Sequence, residues 1–252
     1  MLFHALIDDM PTQNPCVLIA TPTRGSPKMQ YMQSVIGTFR DLAKRGITSD
    51  FETLYGSDPA FQRDVLATRF LERAELSHIF FVDDDMAFPG ELCARLLAAD
   101  KAIVGPIAAR RAFHPDRIDK ALSQGASPKQ AFLAAQDWIV VPAQAPDQPL
   151  VKVESLGFGA VLVRRDALEL MIGKGAALKY PFNTQIFYGF FRVRPADAAD
   201  PPLSEDISFY RRWRLDCGGE VWATTDVPIM HIGDFAYGGR YGDLPQAPFG
   251  TR

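Results

Sequence analysis

The run Ile79-Phe80-Phe81-Val82 ends without transition in three carboxylates, Asp83, Asp84 and Asp85. A short continuous apolar run bounded by turn-forming residues is the pattern of a strand buried on both faces, which needs a covering layer on each side. Three adjacent negative charges at its tip repel one another and stabilise nothing by themselves. Hard divalent cations take oxygen ligands and bridge carboxylates to phosphate oxygens. Asp83 and Asp85, two apart on an extended chain, point to one side, while Asp84 points to the other or begins the turn. The pattern fits a strand tip that holds a metal and a phosphorylated substrate. It also fits an Asp-rich turn that opens a helix.

The flanking sequence repeats the strand-helix alternation. Cys16–Thr21 reads as a buried strand, followed by the loop Thr21-Pro22-Thr23-Arg24-Gly25-Ser26-Pro27. Met29, Met32, Val35, Ile36, Phe39 and Ala43 recur at helical spacing, and Gly46 stops that helix. Ser49–Tyr55 reads as a second strand, Pro59–Ala74 as a helix and Ile79–Val82 as a third strand. A helix opens at Pro89, and a short strand follows at Ala102–Val104. Such alternation predicts a largely parallel sheet with helices on both faces, and ligands of such sheets bind beyond the C-terminal strand ends. The Thr21–Gly25 loop and the Asp83–Asp85 turn are therefore expected to face one crevice.

Beyond this half, Phe113–Pro149 is polar, with a helix expected over Pro128–Gln136 and a loop over Pro142–Pro149. Val151–Ser155 and Phe158–Val163 read as strands, Arg165–Ile172 as a helix, and Tyr180–Val193 as an aromatic patch. Leu203–Cys217 reads as a helix opened by Ser204, followed by short strands at Glu220–Ala223 and Pro228–His231. The tail from Gly233 lacks periodicity and reads as a mobile loop or lid.

A formal net charge of −3 with scattered Lys and Arg argues against a dedicated nucleic-acid binder. Cys16, Cys93 and Cys217 are far apart and lack metal-ligand spacing, so no disulfide framework is expected and a reducing, cytoplasmic setting fits. The N-terminus lacks a signal-peptide pattern, and no run reaches the length of a membrane span.

Several further groups could carry chemistry. Glu205 and Asp206 follow Ser204 in a first helical turn, where acidic residues are favoured by the helix dipole alone; one of them could instead be a base aimed at the crevice. His231 ends an apolar strand and becomes a metal ligand only if the fold brings it to Asp85. Gly157-Phe158-Gly159 is a turn or bulge, or a backbone that approaches a ligand closely. Arg24, Arg63 and Arg69 are surface arginines or diphosphate partners.

In order along the chain, these pieces resemble the GT-A type of glycosyltransferase, near its family 2-like group. The resemblance rests on the Thr-Pro-Thr-Arg-Gly loop, Arg63-Asp64, Phe81-Val82-Asp83-Asp84-Asp85-Met86 and Lys101–Gly105. It continues through Gly157–Arg165, Ser204–Phe209 and Pro228–Gly233, and covers about Val17–Gly239. It implies a Rossmann-like single α/β domain over 1–239 with a mostly parallel sheet. The nucleotide-sugar half would span about 15–110, the acceptor half about 150–232, and a tail or lid 233–252. It also implies a Mn²⁺ or Mg²⁺ cofactor held by Asp83, Asp85 and His231. The nucleotide-sugar donor, UDP- ahead of GDP-sugar, would lie against Thr21, Pro22, Thr23, Arg24, Arg63, Asp83 and Asp84. Gly157, Phe158 and Gly159 would contact substrate, and Asp206, with Glu205 as alternative, would deprotonate the acceptor hydroxyl in an inverting displacement. The acceptor itself is not indicated.

Two departures stand out. Asp64 occupies a place where many relatives carry Asn, and Phe209–Trp213 lacks the Gln of the Gln-x-x-Arg-Trp motif of processive synthases. Two other readings compete: a haloacid-dehalogenase-type phosphatase, which also uses Asp-x-Asp with Mg²⁺, and a non-catalytic nucleotide- or sugar-binding module. Ala87 stands where the phosphatase motif usually has Thr or Val.

Overall fold

The structure is a computed structural model, and it describes residues 15–141, 148–192 and 203–244. The N-terminal stretch with His4, most of the Pro142–Pro149 loop, Val193 and the end of the tail lie outside the described residues.

The first half alternates strands and helices as its periodicity requires: β1 Cys16–Thr23, α1 Met29–Lys44, β2 Thr48–Tyr55, α2 Pro59–Glu72, β3 His78–Val82, β4 Met86–Ala87, α3 Leu92–Ala98 and β5 Ile103–Pro106. The middle holds β6 Ala109–Phe113, α4 Asp116–Ser123, α5 Pro128–Ala134, β7 Gln136–Trp138 and β8 Val140–Val141. The second half continues with β9 Leu150–Val153, β10 Ser155–Leu156, β11 Ala160–Arg164, α6 Arg165–Gly173, β12 Leu178–Phe182 and β13 Gln185–Gly189. It closes with α7 Glu205–Leu215, β14 Val221–Thr224, β15 Pro228–Ile232, β16 Ala236–Arg240 and a 3₁₀ turn at Tyr241–Asp243. Local chemistry sets the helix starts. Asp58 accepts from the Phe61 N–H ahead of Pro59, Ser127 and Gln130 form a capping box, and Ser204 accepts from the Ile207 N–H.

The central sheet has the order β2-β1-β3-β11-β5-β14-β9. All its strands but β11 and β9 run in one direction, and β11 is antiparallel to both of its neighbours. Strand direction is therefore mostly shared, but the sheet is mixed. Side-chain alternation splits the core in two. Leu18, Ala20, Ile79, Phe81, Val161 and Val163 face α2, α6 and α7, while Val17, Ile19, Phe80, Val82 and Leu162 face α1 and α3. This is why β1 and β3 read as unbroken apolar runs.

The rest of the sequence expectations need correction in three places. The polar middle contains the extra helix α4 and the β6–β7 pair. The aromatic patch is a hairpin, β12–β13, turned by Asn183 and Thr184 with Asn183 at φ +53°. The first part of the tail is not a loose lid. Residues 236–240 form β16 on β15, where a Cβ on Gly238 would fall 2.1 Å from the Ile229 carbonyl oxygen, so only glycine permits that pairing. Among the described residues, no helix is long and apolar enough to cross a membrane, and the three cysteines are unpaired.

Candidate active site

One edge of the sheet gathers the chemistry. β1 and β3 end there, and β11, being antiparallel, begins there: Ala160 pairs with Val82, and the Asp83 N–H donates to the Gly159 carbonyl oxygen at 2.9 Å. The cleft at this edge has a volume of about 480 Å³. Its walls include Pro22, Thr23, Arg24 and Lys28 from the β1–α1 loop, the three aspartates, Gly157–Gly159, Glu205 and Asp206 from the start of α7, and His231.

His231 reaches the cleft through a small second sheet. β15 pairs antiparallel with β4, setting His231 opposite Met86, and the Ile232 N–H donates to the Asp85 carbonyl oxygen at 2.7 Å. The His231 Nε2 then lies 3.2 Å from Asp85 Oδ2. Its Nδ1 lies 3.2 Å from the Ala109 carbonyl oxygen, which can only accept. A neutral imidazole carries one N–H. With that hydrogen on Nδ1, the Nε2 lone pair and the Asp85 carboxylate face each other, an opposition that one shared cation resolves. The pair therefore fits a divalent metal. It is a pair rather than a cage: among the described residues no group of three His, Cys, Asp or Glu side chains could hold a metal ion.

Asp83 is turned elsewhere. Both its oxygens accept from Arg63 Nη2, at 2.8 and 3.1 Å. The Arg63 Nη1 donates to Asp206 Oδ1 at 3.2 Å and reaches Glu205 at 3.5 Å. Arg63 is 3% exposed, and its guanidinium lies over the rings of Phe158 and Phe191. Burial opposes its charge, but the surrounding carboxylates hold its pKa above the ordinary value. Its primary partners are thus carboxylates on two elements, which it locks together. Asp206 Oδ2 accepts from the Phe158 N–H at 3.1 Å. Burial pushes the Asp206 carboxyl up to about 6, with Arg63 opposing the rise and Glu205 and Asp83 adding to it. For Asp85, burial alone would raise the pKa, but His231 and Arg111 beside it hold it below the ordinary range.

The other expected residues divide. Asp84 accepts from the Thr23 hydroxyl, and its carbonyl oxygen accepts from the Lys28 N–H at 2.8 Å, so it braces the β1–α1 loop. Thr21 is buried, its hydroxyl 2.6 Å from that of Tyr31, and does not line the cleft. Arg69 pairs with Glu52 at 2.6 Å and also does not line it. A Cβ on Gly157 would meet Ile139 at 3.1 Å, and one on Gly159 would meet Met86 at 3.0 Å; both glycines are backed by protein. In α7, Arg212 is a buried anchor whose guanidinium donates to the Ala176, Gly189 and Phe190 carbonyl oxygens.

Sequence reasoning missed Arg111 and the role of Asp64. The Arg111 Nη2 lies 3.3 Å from Asp85 Oδ2; nothing in Ala109–Phe113 marks it, because β6 reaches the cleft only through tertiary packing. Asp64 is fully buried and accepts from the Phe191 N–H at 2.8 Å and the Tyr180 hydroxyl at 3.3 Å. It ties α2 to the β12–β13 hairpin and the segment after it.

No protein-family model matches the sequence, and no curated protein matches it. Several solved structures are similar in fold. A197 from STIV is 14% identical with a TM-score of 0.49, over 94% of this chain and 96% of that one. GalNAc-T7, solved with UDP, GalNAc and Mn²⁺, is 10% identical with a TM-score of 0.48, over 88% of this chain but 45% of that one. Drosophila β-1,4-galactosyltransferase 7, solved as a mutant with manganese, UDP-Gal and xylobiose, is 15% identical with a TM-score of 0.42, over 90% and 70%.

Proposed function

We propose that this chain is a metal-dependent glycosyltransferase of GT-A type that moves a sugar from a nucleoside-diphosphate donor to an acceptor hydroxyl. The observation that carries the proposal is the convergence in one cleft of the Asp85–His231 pair with an Arg63-held carboxylate, Asp206, from another element. Asp85 and His231 would hold Mn²⁺ or Mg²⁺, the imidazole favouring Mn²⁺. When bound, the metal supplies Lewis-acid neutralisation of the diphosphate leaving group.

The chain's own residues do the rest. The loop of Pro22, Thr23 and Arg24, braced by Asp84, lines the nucleotide end of the cleft, with UDP ahead of GDP as the base the resemblance implies. Asp206 accepts the acceptor's proton, in an attack that inverts the anomeric centre. A carboxyl raised to about 6 is mostly ionised near neutral pH yet more basic than an ordinary carboxylate. Arg63 and the Phe158 N–H fix its orientation. Asp83, neutralised by Arg63, contributes position and charge balance rather than a free ligand.

Two observations weigh against the competing readings. The phosphatase motif usually carries Thr or Val at the position that Ala87 holds. A pure binding module does not require an aspartate and a histidine to meet at 3.2 Å. The test is calorimetric titration with UDP and with GDP, each in Mn²⁺ and in EDTA. Metal-dependent binding of either supports the proposal and names the donor class; absence of both with folded protein removes it.

A further inference from the structure

Asp85 Oδ2 has two nitrogen neighbours, His231 Nε2 at 3.2 Å and the cationic Arg111 Nη2 at 3.3 Å. Both meet one strand: β6 offers the Ala109 carbonyl oxygen to His231 Nδ1 and, two residues on, carries Arg111. The Arg111 side chain is half exposed and lines the cleft, and its Cδ packs against Gly233. Its ion pair is therefore of the weak, solvent-screened kind, and its long arm moves without a large desolvation cost. A guanidinium on the oxygen that would ligate a divalent ion is repelled when that ion arrives.

Resting on the glycosyltransferase proposal, we infer that Arg111 is a displaceable stand-in for the metal. It neutralises Asp85 in the metal-free site and transfers to the donor's diphosphate when metal and donor enter. A guanidinium suits that second partner because its planar fork matches phosphate oxygens two at a time. The consequence is thermodynamic coupling. Metal alone must dislodge Arg111 from Asp85; metal with a diphosphate gives Arg111 a new partner. Each ligand therefore strengthens the other's binding, by the same factor in both directions.

The test compares the wild type with Arg111→Ala and Gly233→Ala. In the latter, a new Cβ would lie 2.8 Å from Arg111 Cδ and push the arm aside without removing its charge. Mn²⁺ binding in the absence of nucleotide is read from the free-ion electron paramagnetic resonance signal. Binding of whichever of UDP or GDP the wild type takes is then measured by calorimetry in saturating Mn²⁺. Arg111→Ala is expected to bind Mn²⁺ alone about three- to fivefold more tightly and the nucleotide about tenfold more weakly. Gly233→Ala is expected to tighten Mn²⁺ in the same direction. Unchanged Mn²⁺ affinity in both variants, or unchanged nucleotide affinity in Arg111→Ala, overturns the inference while wild-type nucleotide binding keeps the glycosyltransferase proposal standing. Failure of the wild type to bind either nucleotide overturns both.

Discussion

Asp64 offers the sharpest test of the electrostatics behind the site. Its side chain is 0% exposed, and burial pushes its pKa from the ordinary 3.8 to about 7, against the opposing pull of the Phe191 N–H, the Tyr180 hydroxyl and Arg192. The folded state therefore takes up a proton that the unfolded state has released. Stability tied to this group is fully present below about pH 4 and is lost as pH rises through about 7. At about 1.36 kcal/mol per pKa unit, the penalty at pH 8 is at most about 4 kcal/mol. Asp64→Asn keeps an oxygen for the Phe191 N–H and has no charge to bury. The variant should lead the wild type by only about 1 kcal/mol near pH 4.5, and its advantage should grow to a ceiling of about 4 kcal/mol at pH 8, read as a rise in melting temperature of up to about 10 °C. Chemical denaturation and thermal melts at pH 4.5, 6 and 8 on both proteins measure this, with the difference between them cancelling the other titrating groups. A difference that does not vary with pH, or a variant less stable at pH 8 than the wild type, refutes the argument and makes Asp64 an ordinary ionised partner of Arg192.

Three other outcomes are expected. Asp85→Ala should abolish metal-dependent nucleotide binding while leaving the melting curve intact, checked by calorimetry beside circular dichroism. Asp206→Asn should bind the donor normally yet stop transfer, and wild-type turnover should fall as pH drops through about 6 because the base must be ionised; normal turnover in the variant would take Asp206 out of the mechanism. Arg63→Met should lower stability by about 3–5 kcal/mol, since it strands the Asp83 and Asp206 carboxylates around a missing buried cation, and denaturant unfolding reads that loss.

The sequence by itself determined what is local and periodic. The unbroken apolar runs of β1 and β3 required a two-sided sheet, Ser204 marked a helix start, and the carboxylates of Asp83–Asp85 announced a polar strand tip. Periodicity conveys which way side chains alternate, but not which way a strand runs, so the antiparallel insertion of β11 between β3 and β5 was not legible. Nor was the hairpin behind Asn183-Thr184, whose aromatic strands look the same whether they pair with each other or join the central sheet.

The site was decided by tertiary structure. His231 meets Asp85 across 146 residues of chain, and Arg63 meets Asp206 across 143. No spacing rule reaches that far. Motif order grouped Asp83 with Asp85 as metal ligands; the fold separates them, because Arg63, buried beneath the cleft, takes both Asp83 oxygens and leaves Asp85 to His231 and Arg111. A buried guanidinium must find carboxylates wherever packing leaves them within reach, and that competition is settled by distance and desolvation in the folded protein, not by position along the chain.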